Sequence, residues 1–215
     1  MQRLAAERSF AVGVIILAAG RSSRMGRPKL LLSWGKTSVL GHLIKQWRTL
    51  SAKQIAVVCA LSDLAIQAEF DRLGFAEKNR IINLSPERGM FSSIQCAAQW
   101  PGWQAALTHW AIVLGDQPHL RPQTLRQVLD FSAAHPARVC QPACRGHGRH
   151  PVLLPRTIFR QLADTTATTL KQFLAAQPQE AAFCEVDDPG VEVDIDRPGD
   201  YAKVLDLVAK RTAER

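Results

Sequence analysis

At Gly20 an apolar run, Val12 to Leu17 followed by Ala18 and Ala19, gives way to Arg21-Ser22-Ser23-Arg24-Met25-Gly26-Arg27-Pro28-Lys29. The near absence of side chain at Ala18, Ala19 and Gly20 lets a ligand approach backbone N–H groups, and Gly20 and Gly26 are expected to adopt positive φ. Arg21, Arg24, Arg27 and Lys29 add cationic donors around the same space. Such a loop suits phosphate. Neither the P-loop spacing nor the dinucleotide-binding glycine spacing is present.

Two acidic motifs lie far downstream. Asp116 follows the apolar run Ala111-Ile-Val-Leu114 within Gly115-Asp116-Gln117-Pro118, which reads either as a tight turn or as a carboxylate facing a ligand crevice. A carboxylate opposite a phosphate loop suits Mg²⁺, which prefers one or two carboxylates together with phosphate and water. Near the C-terminus, Val193-Asp194-Ile195-Asp196-Arg197-Pro198 reads as a strand that places Asp194 and Asp196 on one face. Asp196 also reads as the N-terminal cap of the last helix, whereas Asp194 has no capping role. Between these motifs, Asn83-Leu-Ser85-Pro-Glu-Arg88-Gly89-Met90-Phe91-Ser92-Ser93 reads as a strand end leading into a helix start. Its serines could cap that helix or bind an anion.

Leu17-Ala18-Ala19-Gly20-Arg21-Ser22-Ser23-Arg24-Met25-Gly26-Arg27-Pro28-Lys29 resembles the signature loop of the molybdenum cofactor nucleotidyltransferases, the MobA/MocA-like NTP transferases. The resemblance extends to Gly115-Asp116-Gln117-Pro118, to Gly89-Met90-Phe91-Ser92-Ser93, and to the Asp194-Ile195-Asp196 block, in the family's order. It implies that Arg24 and Lys29 contact phosphate oxygens and that Leu17, Ala18, Ala19, Gly20, Ser85, Gly89, Ser92 and Ser93 line the nucleotide site. It also implies that Asp116 and Asp194 hold Mg²⁺; either Asp194 or Asp196 could be the second ligand. Arg24, Lys29 and Asp116 then form the catalytic set. Gly148-Arg149-His150-Pro151 is similar to the family's acceptor-facing Gly-His-Pro, with His150 and Pro151 as acceptor contacts, but Arg149 stands where a glycine is expected.

The resemblance implies transfer of a nucleoside monophosphate to a phosphorylated acceptor, with release of pyrophosphate. The Ala18-Ala19-Gly20 form is similar to the cytidylyl branch, implying CTP as donor and molybdopterin as acceptor, with a client molybdoenzyme as a further partner. Guanylyl transfer, transfer to a sugar or alcohol phosphate, and a nucleotide-sensing or cofactor-handover protein of the same fold are the alternatives.

The elements that must position these residues follow from periodicity. Strands are expected at Val12–Leu17, Gln54–Ala60, Arg80–Leu84 and Trp110–Leu114. They alternate with helices at Ser38–Leu50, Leu64–Leu73, Ser92–Trp100 and Pro122–Ala134. That alternation predicts an α/β, Rossmann-like three-layer fold: a mostly parallel sheet with helices on both faces and ligand loops along one strand edge. Beyond Pro136, Arg138–Pro142 and Pro151–Pro155 predict a small antiparallel extension. Helices follow at Ile158–Leu162 and Thr169–Ala176, then strands at Ala182–Val186 and Val191–Ile195, and a closing helix at Pro198–Lys210.

The chain has 215 residues, 47% hydrophobic and 21% charged, enough for one sizeable core. The expected organisation is a loose tail over 1–11 and one domain over 12–211. The net charge of +8 favours an anionic partner, but scattered basic residues and a single tyrosine argue against nucleic acid. No apolar run is long enough for a membrane span, and the five cysteines lack a disulfide framework. A cytoplasmic setting is expected. Cys140, Cys144, His147 and His150 fall too close together to offer the two separated ligand pairs of a structural zinc site.

Overall fold

The computed structural model describes residues 10–20, 25–177 and 181–213. Arg24 and most of the expected N-terminal tail lie outside them.

The β-branched run Val12–Leu17 forms β1 at the centre of the main sheet. Val12, Val14 and Ile16 pack into one core and Ile15 into the other, so the strand is buried on both faces. A short hairpin follows, β2 (Ser33–Trp34) with β3 (Thr37–Ser38). Helix α1 (Val39–Thr49) begins where the Ser38 hydroxyl accepts the Gly41 N–H at 3.0 Å, and Asp63 caps α2 (Leu64–Arg72) in the same way. Strand β4 (Gln54–Ala60) is buried at every position, and β5 (Arg80–Asn83) pairs beside it. Next come α3 (Met90–Gln99), β6 (His109–Leu114) and α4 (Pro122–Ala134), the last with proline in its first turn, where a missing N–H costs nothing.

The rest of the main sheet comprises β7 (Val139–Cys144), β8 (His147–Gly148), β9 (Val152–Pro155) and β10 (Ala181–Glu185). Short helices α5 (Arg156–Gln161) and α6 (Leu170–Ala175) interrupt them, and α7 (Pro198–Ala213) closes the chain. The strand order is β10-β7-β9-β6-β1-β4-β5, with β8 paired to β7. Pairs β6-β1, β1-β4, β4-β5 and β10-β7 are parallel; β6-β9, β9-β7 and β7-β8 are antiparallel. The expected antiparallel strands extend the main sheet itself, with β9 lying between β6 and β7.

Helices cover both faces. Side chains of α1, α2, α4 and α7 pack into one core; those of α3, α5 and α6 form the other, where Trp110 stacks on Phe159 at 4.3 Å.

One expected strand is absent. Val191–Ile195 begins inside a 3₁₀ turn over Pro189–Glu192 and continues without regular structure. The apolar alternation that suggests a strand is real, since Val191 and Ile195 are buried. Their N–H groups, however, go to Asp188 O and Asp116 O rather than to a neighbouring strand. At the start of α7, Asp200 accepts the Arg197 N–H at 2.9 Å and closes that helix's first turn.

Candidate active site

The C-terminal ends of β1 and β6 meet the start of α3 around a cleft of about 500 Å³. Its walls include Leu17, Ala19, Gly20, Lys29, Gly89, Ser93 and Asp116. A Cβ on Gly115 would stand 2.7 Å from Leu30 Cδ2 and 2.8 Å from Leu17 O, so only glycine lets the turn after β6 lie this close to β1.

One wall is charged. Lys29 Nζ lies 2.6 Å from Asp116 Oδ2, 3.3 Å from Ile195 O and 3.4 Å from Asp196 Oδ1. The ammonium thus ties the first loop to the turn after β6 and to the strap 193–197. Asp194 lies outside the cleft lining, but its Oδ1 accepts from Gln117 Nε2 at 2.9 Å. Partial desolvation of its carboxyl, and next the charge of Asp116, raise the Asp194 pKa above the usual carboxylate value. The two motifs therefore converge although no strand carries the second one. Asp116 Oδ1 is buried and has no hydrogen-bond partner among the described residues.

The other wall, which also carries Glu87, is held together by neutral hydrogen bonds. Asn83, 1% exposed, donates from Nδ2 to the Ser92 hydroxyl at 2.8 Å and the Ser93 hydroxyl at 2.9 Å, while its Oδ1 accepts the Ser85 N–H at 2.9 Å. Gly89, with φ +89°, turns the chain from this knot into α3, whose first turn opens onto the cleft through Gly89, Met90 and Ser93. Ser93 keeps its own hydroxyl proton for the cleft. Ser92 spends its proton on Gly89 O and Ser85 O.

Several expected positions stand elsewhere than the sequence suggests. Ser85 and Ser92 face a neighbouring depression rather than the cleft, and Ala18 is buried with its N–H bonded to Val58 O. These residues shape the site without lining it. Gly20 does not adopt positive φ, although Gly26 does, at +66°.

His150 and Pro151 also lie off the cleft lining, joined by a cis peptide bond. His150 Nδ1 is 3.3 Å from Ile112 O, and burial lowers its pKa below the usual imidazole value. A carbonyl can only accept, so Nδ1 holds the proton and Nε2 is left as an acceptor. Arg149 reaches Glu192 Oε1 at 2.9 Å, joining the His150 loop to the turn that precedes Asp194. Cys140 is buried and Cys144 half-buried; among the described residues no three His, Cys, Asp or Glu side chains gather as a metal cluster.

Gln117 and Asn83 also build the site, each from inside one of the sequence motifs. No motif marks Asp188. That residue, 1% exposed, takes Arg211 at 2.9 Å, the Thr124 hydroxyl at 2.8 Å and the Gly190 N–H at 3.0 Å, and fixes the start of the strap.

A family model described as the MobA-like NTP transferase domain matches residues 14–182, which takes in the loop after β1, the Asn83 knot, Asp116 and His150. The chain belongs to this family. The molybdenum cofactor cytidylyltransferase of Escherichia coli is 26% identical over 194 residues, 89% of this chain and 94% of that one. The bifunctional protein GlmU of Cereibacter sphaeroides is 29% identical over 147 residues, 67% of this chain; the match spans only 32% of GlmU, about a third of its length. Among solved structures, Rv0371c of Mycobacterium tuberculosis superposes with a TM-score of 0.71 at 28% identity, covering 92% of this chain and 98% of that one. The manganese complex of the same protein gives 0.66 at 25% identity over 91% and 98%.

Proposed function

We propose that this family member is a divalent-metal-dependent cytidylyltransferase that joins CMP from CTP to a phosphorylated acceptor, molybdopterin first among candidates. The observation that carries the reading is the charged wall of the cleft: Lys29 on one oxygen of Asp116, and the other oxygen buried without a partner. A buried acceptor left unpaired costs roughly 1–3 kcal/mol and more if charged, so Asp116 is suited to a cation. Asp194, held by Gln117 and coupled electrostatically to Asp116, is the second carboxylate. Together they fit a hard divalent ion completed by substrate phosphate and water. Such an ion supplies positive charge to phosphate oxygens. The manganese complex of Rv0371c and the cytidylyltransferase among the relatives support this choice.

The chain's own groups account for the remainder. A triphosphate lies along Ala19, Gly20 and the first turn of α3, where backbone donors and the helix dipole meet its charge. Lys29, bonded to Asp116 and Asp196 before the nucleotide arrives, stays within reach of the phosphates and opposes the charge that builds as pyrophosphate leaves. Arg24 is assigned the same task from its place in the loop. The acceptor's phosphate oxygen attacks the α-phosphorus, a new P–O bond forms, and the bond to the bridging oxygen of the β-phosphate breaks. A phosphate monoester is mostly ionised at neutral pH, with a second pKa of about 6, so no side chain has to take a proton from it. His150 orients the acceptor through its free Nε2, which accepts a donor from the neutral part of that molecule.

The experiment is pyrophosphate release with CTP, GTP, ATP or UTP in the presence of Mg²⁺ and molybdopterin. Release with CTP above all others is expected. Release only with GTP, or only with a sugar phosphate as acceptor, overturns the specificity; nucleotide binding with no release from any pairing overturns the transferase reading.

A further inference from the structure

A second concavity of about 440 Å³ lies between α1, the β6–α4 connection and α7, on the α1/α4/α7 face of the sheet. It shares no lining residue with the nucleotide cleft. Its size is within the range of small-molecule sites, about 300–1,000 Å³.

We propose that this groove is a second binding site, for a small phosphorylated molecule whose neutral part carries hydroxyl or amino donors. Lys45, Arg121, Arg126 and Arg211 all border it. Arg121 and Arg211 are engaged with the buried Asp188, at 3.7 and 2.9 Å. Lys45 and Arg126 are exposed, and neither has a side-chain hydrogen bond or ion pair with the described residues. Four cations against one carboxylate leave an excess of positive charge in a concave surface, which is what holds a phosphate group.

The floor asks for something different. Gln46, 8% exposed, donates from Nε2 to Leu120 O at 2.8 Å, yet its Oε1 is buried and has no partner among the described residues. His119, 3% exposed, has Nε2 at 2.9 Å from Gly190 O; that carbonyl can only accept, so Nε2 holds the proton and the unpaired, buried Nδ1 is an acceptor. Two bare acceptors beneath a basic rim match a ligand with an anionic end and a donor-bearing body. A bare inorganic anion satisfies only the rim. Sugar phosphates and nucleotides share this chemistry.

Calorimetric titration of the full chain with inorganic phosphate, ribose 5-phosphate and AMP tests the proposal, with all comparisons repeated on Lys29→Gln to disable the nucleotide cleft. On that background, ribose 5-phosphate or AMP is expected to bind at least tenfold more tightly than phosphate. Sugar hydroxyls supply the donors if ribose 5-phosphate binds as well as AMP, and the base supplies them if AMP binds more tightly. Adding Lys45→Gln and Arg126→Gln, both at exposed positions, should weaken the organic phosphate at least tenfold. Adding Gln46→Leu instead should weaken it while leaving inorganic phosphate unchanged. Loss of all binding with Lys29→Gln alone, equal affinity for phosphate and both organic phosphates, or full binding after the Lys45 and Arg126 changes would each overturn the assignment.

Discussion

The two walls of the nucleotide cleft are built on opposite principles. The Asn83 wall uses neutral hydrogen bonds, buried and nearly saturated, with one serine proton left over. The Asp116 wall uses charge, and it is not saturated: Lys29 bridges two carboxylates and a carbonyl, Asp194 feels the charge of Asp116, and Asp116 keeps one bare oxygen. Neutral networks of this kind fix shape. Incomplete charged ones leave room for a charged ligand. Under the proposed function, recognition falls to the first wall and phosphate chemistry to the second.

Removing Asp116 should do the most damage to function and little to the fold. Asp116→Ala is expected to lower pyrophosphate release by about a thousandfold or more, with a melting temperature near that of the parent, because Lys29 retains Ile195 O and Asp196. Gln117→Leu should cost about 10- to 100-fold in metal affinity, read by titration, since it frees Asp194 without removing a charge.

Asn83→Ala should show the reverse pattern. Two buried hydrogen bonds and one part-buried one disappear, and urea denaturation should report a loss of about 2–3 kcal/mol, with a rise in KM for the nucleotide exceeding any fall in kcat. Acid acts on residues outside both walls. His119, in the second groove, and His150, off the cleft lining, are kept neutral by burial, so their folded pKa values lie below the usual 6.5. The unfolded chain therefore binds more protons in that window, and the stability tied to neutral imidazole is complete above about pH 6.5 and declines as pH falls below it. The melting temperature should drop between pH 7 and 5, while the decrement caused by Asn83→Ala stays constant, because no titrating group belongs to that network.

The smallest effect belongs to the Arg149–Glu192 pair. Arg149 is 38% exposed, so Arg149→Ala should change stability by less than about 1 kcal/mol in denaturant titration. A shift in KM for the acceptor larger than that for the nucleotide would place its influence on the His150 loop.

The framework was legible where one physical signal dominated. Gln54–Ala60 is apolar throughout after Gln54, and Pro122–Ala134 couples helical periodicity to a proline start; both ends of each agree with the structure. The strap was misread because Val191 and Ile195 satisfy a strand's alternation while their backbone bonds go to loops. The β2–β3 hairpin escaped notice because two residues per strand carry no period. Lys29 of the first loop, Asp116 after β6 and Asp196 in the strap come together. What joins them did not show. Lys29 to Asp116 and Gln117 to Asp194 are contacts between residues remote in sequence, set by the order in which strands enter the sheet.

The central claim is that Asp116 and Asp194 share one divalent cation with a bound nucleotide. Titration of Mn²⁺ followed by electron paramagnetic resonance, with and without CTP, tests it on the full chain and on Asp116→Asn and Asp194→Asn. The account predicts one protein-bound ion per chain, tightened by CTP and weakened at least tenfold in each variant. Binding that ignores CTP and persists unchanged in both variants would contradict it.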